Sequence, residues 1–173
     1  MDNYKNTFIV ILISLLWNSA INARGVYQTP QAFLKETYQG KIPKAKFVWL
    51  TKDVKPQVNE ILGHPLNALR VRYWVKGKRT AWILEEIGKE ELITTGIVVN
   101  KGNIERVKIL VFRESRGWEV RYPFFTDQFK NVKLTAQKKL SRPIDSISGA
   151  TLSVNAVSRL ARLALYFHKL AIE

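Results

Sequence analysis

Apolar and polar residues alternate along the middle of the chain, which is the pattern of β-strands with one buried face. Four such stretches follow one another at residues 69–76, 80–87, 91–99 and 104–114. A short apolar stretch at residues 47–50 is a further strand candidate. Because the connections between the four stretches are of hairpin length, the pattern predicts an antiparallel sheet.

Helical periodicity flanks the predicted sheet on both sides. The longest helix is predicted over residues 152–172, where apolar residues recur at every third or fourth position. Its opposite side is basic, and we expect that side to face solvent. Two shorter helices are predicted before the sheet: one begins at Thr29-Pro30 and stops at Gly40, and the other covers residues 55–63. Helices packed on an antiparallel sheet make the expected fold class α+β.

The first 23 residues have the layout of an export signal. Lys5 gives a positive start, residues 8–17 form an apolar run interrupted only by Ser14, and small residues precede a cleavage point after Ala23. The run is shorter than the roughly 20 apolar residues of a membrane span. We therefore expect a periplasmic or otherwise extracytoplasmic protein, with an uncleaved N-terminal anchor as the alternative.

The remaining length predicts one domain. Residues 24–173 are enough to bury a single core. Within that domain, residues 24–66 are expected to form a helical packing segment and residues 67–173 the binding core.

Composition narrows the chemistry. The chain has no cysteine and only two histidines, so disulfides, thiolate metal sites and cysteine nucleophiles are excluded and no protein-ligated metal is expected. Lysine and arginine number 28 against 14 acidic residues. Such a charge attracts anions in general, including membrane surfaces. The basic residues are dispersed among apolar ones, which favours solvated faces over a nucleic-acid-binding tail, and no nucleic-acid partner is expected.

One turn carries the strongest chemical signal. Ser148-Gly149-Ala150-Thr151, preceded by Asp145, runs directly into the predicted C-terminal helix. The start of a helix offers free backbone N–H groups and a positive dipole to a phosphate. A serine N-cap in a tight first turn explains the same residues without any ligand. The two interpretations are compatible.

The turn is similar to the flavinylation motif of the FMN-binding domain family. That family occurs in the covalent-flavin subunits of sodium-translocating NADH:quinone reductase and of the Rnf complex, and in small exported flavoproteins. A second block resembles its strand, hairpin, Glu-x-x-Gly turn and Phe-x-x-Gln-Phe segment, at residues 95–99, 111–117, and 125–129. Together the similar segments cover about half the chain, from near Thr94 to Ala164.

The resemblance implies that FMN is bound covalently, through a phosphoester bond to Thr151, and that the C-terminal helix follows this flavin-attachment turn. Ser148, Gly149 and Ala150 are then expected at the phosphate. A threonine hydroxyl is a poor nucleophile, and the family uses a separate flavin transferase that takes FMN from FAD. That enzyme is metal-dependent, and Asp145 is the residue expected to be recognised by it or to orient its metal ion.

Other residues are expected to line the flavin ring: Glu114, Arg116, Trp118, Phe125 and Phe129. Aromatic residues stack well on a flat conjugated system, although the aromatic stretch at residues 122–129 is also explained as core under a loop.

These expectations describe an exported electron-transfer flavoprotein rather than a stand-alone catalyst, so no catalytic residue is predicted. A membrane redox protein is the expected electron donor, and contact with a membrane surface remains open. One alternative is a carrier or sensor of the same fold that binds FMN noncovalently. The other is a basic exported module for anionic polymers or lipids, in which the turn is only a helix cap.

Overall fold

The sheet is a single five-stranded antiparallel meander. The computed structural model describes residues 25–172, and the predicted export signal lies outside them. Each strand pairs with the next one in the sequence, in the order β1 Lys46–Trp49, β2 Arg70–Lys76, β3 Arg79–Ile87, β4 Leu92–Asn100 and β5 Asn103–Phe112. The antiparallel sheet predicted from the alternating pattern is confirmed.

Four α-helices accompany the sheet: α1 Pro30–Thr37, α2 Val54–Leu62, α3 Pro123–Thr126 and α4 Thr151–Ile172. The Thr29 hydroxyl accepts a hydrogen bond from the Ala32 amide at 3.1 Å, which makes it the N-cap of α1. Gly63 ends α2, which begins at Val54. The predicted α+β fold with a long C-terminal helix is therefore confirmed.

The sheet is covered on both faces. The larger core lies between the sheet and α4, where the ring of the fully buried Trp82 stacks on Tyr73 with centroids 4.8 Å apart and meets Phe167 at 5.5 Å. The smaller core lies under α1, where Phe33 and Leu34 pack against residues from the middle of the sheet. Both faces of the sheet have to be covered, because neither side of the central strands is polar.

The C-terminal part of α4 is fixed to one end of the sheet by His168. The Gly102 amide donates to Nε2 of His168 at 3.1 Å, so Nδ1 carries the proton and donates to the Thr80 hydroxyl at 2.7 Å. Trp82 donates to the same hydroxyl at 2.9 Å. Since α4 runs along the sheet from this point, its first residue, Thr151, lies at the opposite end, beside the β3–β4 turn.

The basic side of α4 is partly covered, which corrects the expectation that it faces solvent. Arg159 donates to the carboxylate of Glu86 at 3.3 Å, and Glu86 is only 4% exposed. Arg162 donates to the carbonyl of Ile61 at the end of α2. Long arginine side chains therefore join α4 to α2 and β3. Within residues 25–172, no helix combines the length and hydrophobicity needed to cross a membrane.

Candidate functional site

A cleft of about 580 Å³ opens at the start of α4. Its size falls within the range of small-molecule sites. Five of the residues expected at the flavin line it: Glu114, Arg116, Gly149, Ala150 and Thr151. Four lining residues were not predicted: Lys89, Ser115, Leu152 and Ser153. The sheet therefore brings the end of β5, the β3–β4 turn and the start of α4 to one place.

The turn before α4 presents the Thr151 hydroxyl at the mouth of this cleft. The Ala150 amide donates to the Ile147 carbonyl at 2.9 Å, and the Ala150 carbonyl accepts from Val154 at 3.0 Å, the first bond of the helix. Gly149 takes a left-handed φ of 77°, which closes the turn. Thr151 is exposed. The first amides of α4 have no intrahelical acceptor and lie at the positive end of the dipole, as a phosphate requires.

Glu114 has a structural task within the cleft wall. Its Oε1 accepts hydrogen bonds from the amides of Glu90 at 2.8 Å, Glu91 at 3.0 Å and Lys89. Burial alone would raise the pKa of Glu114, but these three amides and the Lys89 charge together lower it. The carboxylate is therefore ionised, and it joins the β3–β4 turn to the end of β5.

Gly117 brings the loop after β5 into contact with the first turn of α4. A Cβ atom at this position would lie 2.7 Å from the Ser153 hydroxyl and 3.3 Å from Cβ of Ala150. The φ of Gly117 is also left-handed, at 84°. Glycine is required here by both conformation and space. The Glu-x-x-Gly turn seen in the sequence is thus held at both ends. Glu114 bonds to the β3–β4 turn, and Gly117 contacts the first turn of α4.

The segment that leads into the turn is held by Gln128. Its side-chain oxygen accepts from the amide of Asp145 at 2.7 Å, while its backbone carbonyl accepts from Arg142. The Asp145 and Ser148 side chains are exposed and do not line the cleft. Asp145 is consequently accessible to an external macromolecule.

The aromatic residues divide into two groups. Phe125 and Phe129 are 0% exposed and pack edge to face, 5.4 Å apart, inside the larger core. Neither lines the cleft, so neither offers a surface to a ligand there. Trp118 is 42% exposed and lies next to Gly117, with its ring 5.7 Å from that of Tyr122. Of the three aromatic residues expected at the flavin, Trp118 alone is open to solvent.

Lys89 could not be predicted from the sequence as a residue of the cleft. It lies in a turn with no motif, and only the register of the sheet, which places Ile93 opposite Phe112, brings that turn to Glu114. Lys89 and Arg116 give the cleft two cationic side chains. Glu114 accepts three backbone amides and Lys89 pairs with Glu90, so the two cations of the lining face one carboxylate within the lining itself.

An antiparallel sheet, a helix start facing a basic cleft and a glycine-closed turn define a protein that binds a phosphate-bearing ligand. Residues 88–166 match the model of the FMN-binding domain family, and the chain carries a domain of that family. The match extends from the β3–β4 turn to the last third of α4 and includes every residue of the cleft. No curated protein shows significant similarity to the chain.

FMN is therefore the cofactor of this domain, and the residues of the cleft fit it. The helix-start amides and the side chains of Lys89 and Arg116 suit the phosphate, and the absence of a Cβ at Gly117 allows the loop to close on the attachment turn. Bound FMN supplies the redox chemistry, while this chain supplies position and charge.

Proposed function

We propose that this protein is an exported flavoprotein that carries FMN covalently on Thr151 and transfers electrons outside the cytoplasm. The observation that carries the proposal is the position of Thr151, an exposed residue that lines the cleft and is the first residue of α4. Covalent attachment is advantageous for an exported protein, because a noncovalent flavin lost outside the cytoplasm is not replaced.

The attachment needs an enzyme. The threonine oxygen attacks the FMN-side phosphorus of FAD and forms the phosphoester bond. The bond between that phosphorus and the bridging oxygen breaks, AMP leaves with the bridging oxygen, and the hydroxyl proton is released. Glu114, the carboxylate in the lining of the cleft, is a poor base because its pKa is lowered and its Oε1 already accepts three amides. A flavin transferase using FAD is therefore the proposed partner, and the exposed Asp145 is the proposed recognition residue.

Electron flow is proposed from a membrane redox protein through the flavin to an acceptor. Among residues 25–172, the lining of the cleft holds one carboxylate, Glu114, whose Oε1 accepts three backbone amides. Basic residues at the cleft stabilise negative charge on a reduced flavin, and this raises its reduction potential.

The test is co-expression with a flavin transferase, followed by denaturing gel fluorescence and intact mass. Wild-type protein should fluoresce in the gel and gain the mass of one FMN. Thr151→Ala should lose both signals while remaining folded, and Thr151→Ser should keep them because it keeps the hydroxyl. Ser146→Ala is the matched control, since it removes an exposed hydroxyl of the same segment that lies outside the cleft and outside the turn at residues 148–151. Covalent flavin in Thr151→Ala would refute the attachment site, and flavin lost on denaturation of the wild type would identify a noncovalent binder.

A further inference from the structure

The exposed large apolar residues are concentrated at one end of the molecule. Among the described residues, 25–172, there are twelve. Ten lie at the end of the sheet that holds the β3–β4 turn, or on the adjoining edge of β5: Val26, Tyr27, Trp49, Leu69, Ile87, Leu92, Trp118, Tyr122, Phe124 and Leu152. We call this set the apolar end. The other two, Leu170 and Ile172, lie at the far end of α4.

Strand direction and register place these residues together. Ile87 and Leu92 pair across the β3–β4 turn, and β2 begins at the end where β3 finishes because the two strands are antiparallel. Trp49 pairs with the first residue of β2. Single exposed apolar residues are ordinary on soluble proteins, whereas their concentration on one side marks an interaction surface.

The β5 edge of the apolar end has the composition of a membrane–water interface. The Arg121 guanidinium lies over three rings, 4.6 Å from Tyr27, 5.0 Å from Trp118 and 4.9 Å from Tyr122. Phe124 is 60% exposed and continues the cluster beyond Tyr122. Tryptophan and tyrosine with a neighbouring arginine favour the headgroup level of a bilayer, where the rings are buried and their polar atoms stay hydrated.

The chain enters the domain at the same end. The Phe112 amide donates to the Gly25 carbonyl at 2.7 Å, and Val26 forms a bridge with Val111 at the end of β5. The 24 residues that precede Gly25 contain the apolar run at residues 8–17. A tether to the membrane through that segment would leave the domain beside the exposed aromatic cluster.

We propose that the apolar end docks on the surface of a phospholipid bilayer. The FMN cleft opens at this end too, since Lys89 and Leu152 border both, so docking holds the flavin at the headgroup level. A lipid-soluble or membrane-embedded electron donor then reaches the flavin without a long diffusion step. The net charge of +14 attracts the molecule as a whole to anionic leaflets, while the β3–β4 turn at this end carries Lys89 beside Glu90 and Glu91. The inference rests on the proposed export but not on covalent attachment.

The experiment uses the absence of cysteine in the chain. Single cysteines at Leu92→Cys and Phe124→Cys receive a polarity-sensitive fluorophore, and Leu170→Cys is the matched control, because Leu170 is 37% exposed and Leu92 is 40% exposed. Full-length protein is mixed with vesicles of phosphatidylethanolamine and phosphatidylglycerol. The labels at positions 92 and 124 should shift to the blue and lose quenching by iodide, while the label at position 170 should show neither change.

Equal responses at all three positions, a response at position 170 alone, or no response to vesicles would overturn the proposal. If the labels at 92 and 124 respond instead to a soluble flavin transferase or redox protein, the surface is a protein interface. Each measurement is made on flavin-free and flavin-loaded protein. A failure of flavin attachment is then seen in the mass of the sample, independently of what the labels report.

Discussion

Replacing Glu114 tests whether the cleft is held together by a carboxylate. In Glu114→Ala, the amides of Lys89, Glu90 and Glu91 lose a shared charged acceptor. Water replaces the lost carboxylate in part, because the site is near the surface. We therefore expect a loss of about 2 kcal/mol in the free energy of unfolding. For a chain of this size that corresponds to a fall in Tm of about 4–8 °C. Glu114→Gln keeps an acceptor without the charge and should lose about 1 kcal/mol.

The measurement is guanidinium unfolding of both variants beside Glu90→Ala. Glu90 lies in the same turn, and within residues 25–172 it forms one ion pair, with Lys89, at 3.0 Å between two largely exposed side chains. Its loss should cost less than about 1 kcal/mol. The Glu114 pKa is lowered by folding, so the stability it gives is present above the unfolded pKa and is lost as the pH falls through the folded pKa. The advantage of wild type over Glu114→Gln should therefore shrink in acid. Equal stability of Glu114→Ala and Glu90→Ala at neutral pH would refute the structural task assigned to Glu114.

Three further predictions concern the loop, the motif and the histidines. Gly117→Ala should lose about 2–4 kcal/mol, because it adds a clash with Ser153 to an unfavourable φ, whereas Gly77→Ala, with a positive φ in open space, should lose about 1–2 kcal/mol in the same unfolding assay. Asp145→Asn should reduce FMN incorporation by the transferase, measured by intact mass, without changing Tm, and normal incorporation would exclude Asp145 from recognition. Burial lowers the pKa of His168, so the stability that His168 contributes falls as the pH drops below about 6.5. The Pro65 carbonyl and Glu86 raise the pKa of His64, so the stability that His64 contributes is lost as the pH rises through that higher pKa. His168→Gln and His64→Gln should therefore change the slope of stability against pH in opposite directions, and parallel changes would contradict the assignment.

The strands were predictable because their information is local. Alternation with a period of two places β2 to β5 within two residues of their observed bounds, and the short connections dictate antiparallel neighbours. The long helix was predictable for the same reason, since its apolar residues recur with helical spacing over 22 residues. The turn at residues 148–151 was also predictable, because a turn and a helix start are local structures.

Partners distant in sequence were not predictable. The basic side of α4 has the pattern of a solvated face, but Arg159 finds the buried Glu86, which is 73 residues away. Nothing in the helix itself encodes that contact. In the same way, Phe125 and Phe129 have the composition expected of a ligand wall, and only the packing of α3 and of the following 3-10 turn, Asp127–Phe129, against β5 decides that they are core. Lys89 lines the cleft only because the register of the sheet brings the β3–β4 turn beside Glu114.

The two ends of α4 together explain why this fold suits a carrier. His168 follows Thr151 by 17 positions, so the helix places the Thr151 hydroxyl about 25 Å from the buried hydrogen bonds that fix its other end. His168 is there a structural group whose two nitrogens are both engaged, and it cannot act on the cleft. In the described lining of the cleft the one carboxylate, that of Glu114, accepts three backbone amides on its Oε1. An exposed threonine at a helix start, beside a carboxylate whose Oε1 accepts three backbone amides, is accessible to a modifying enzyme. That arrangement is what the proposed flavin tether requires.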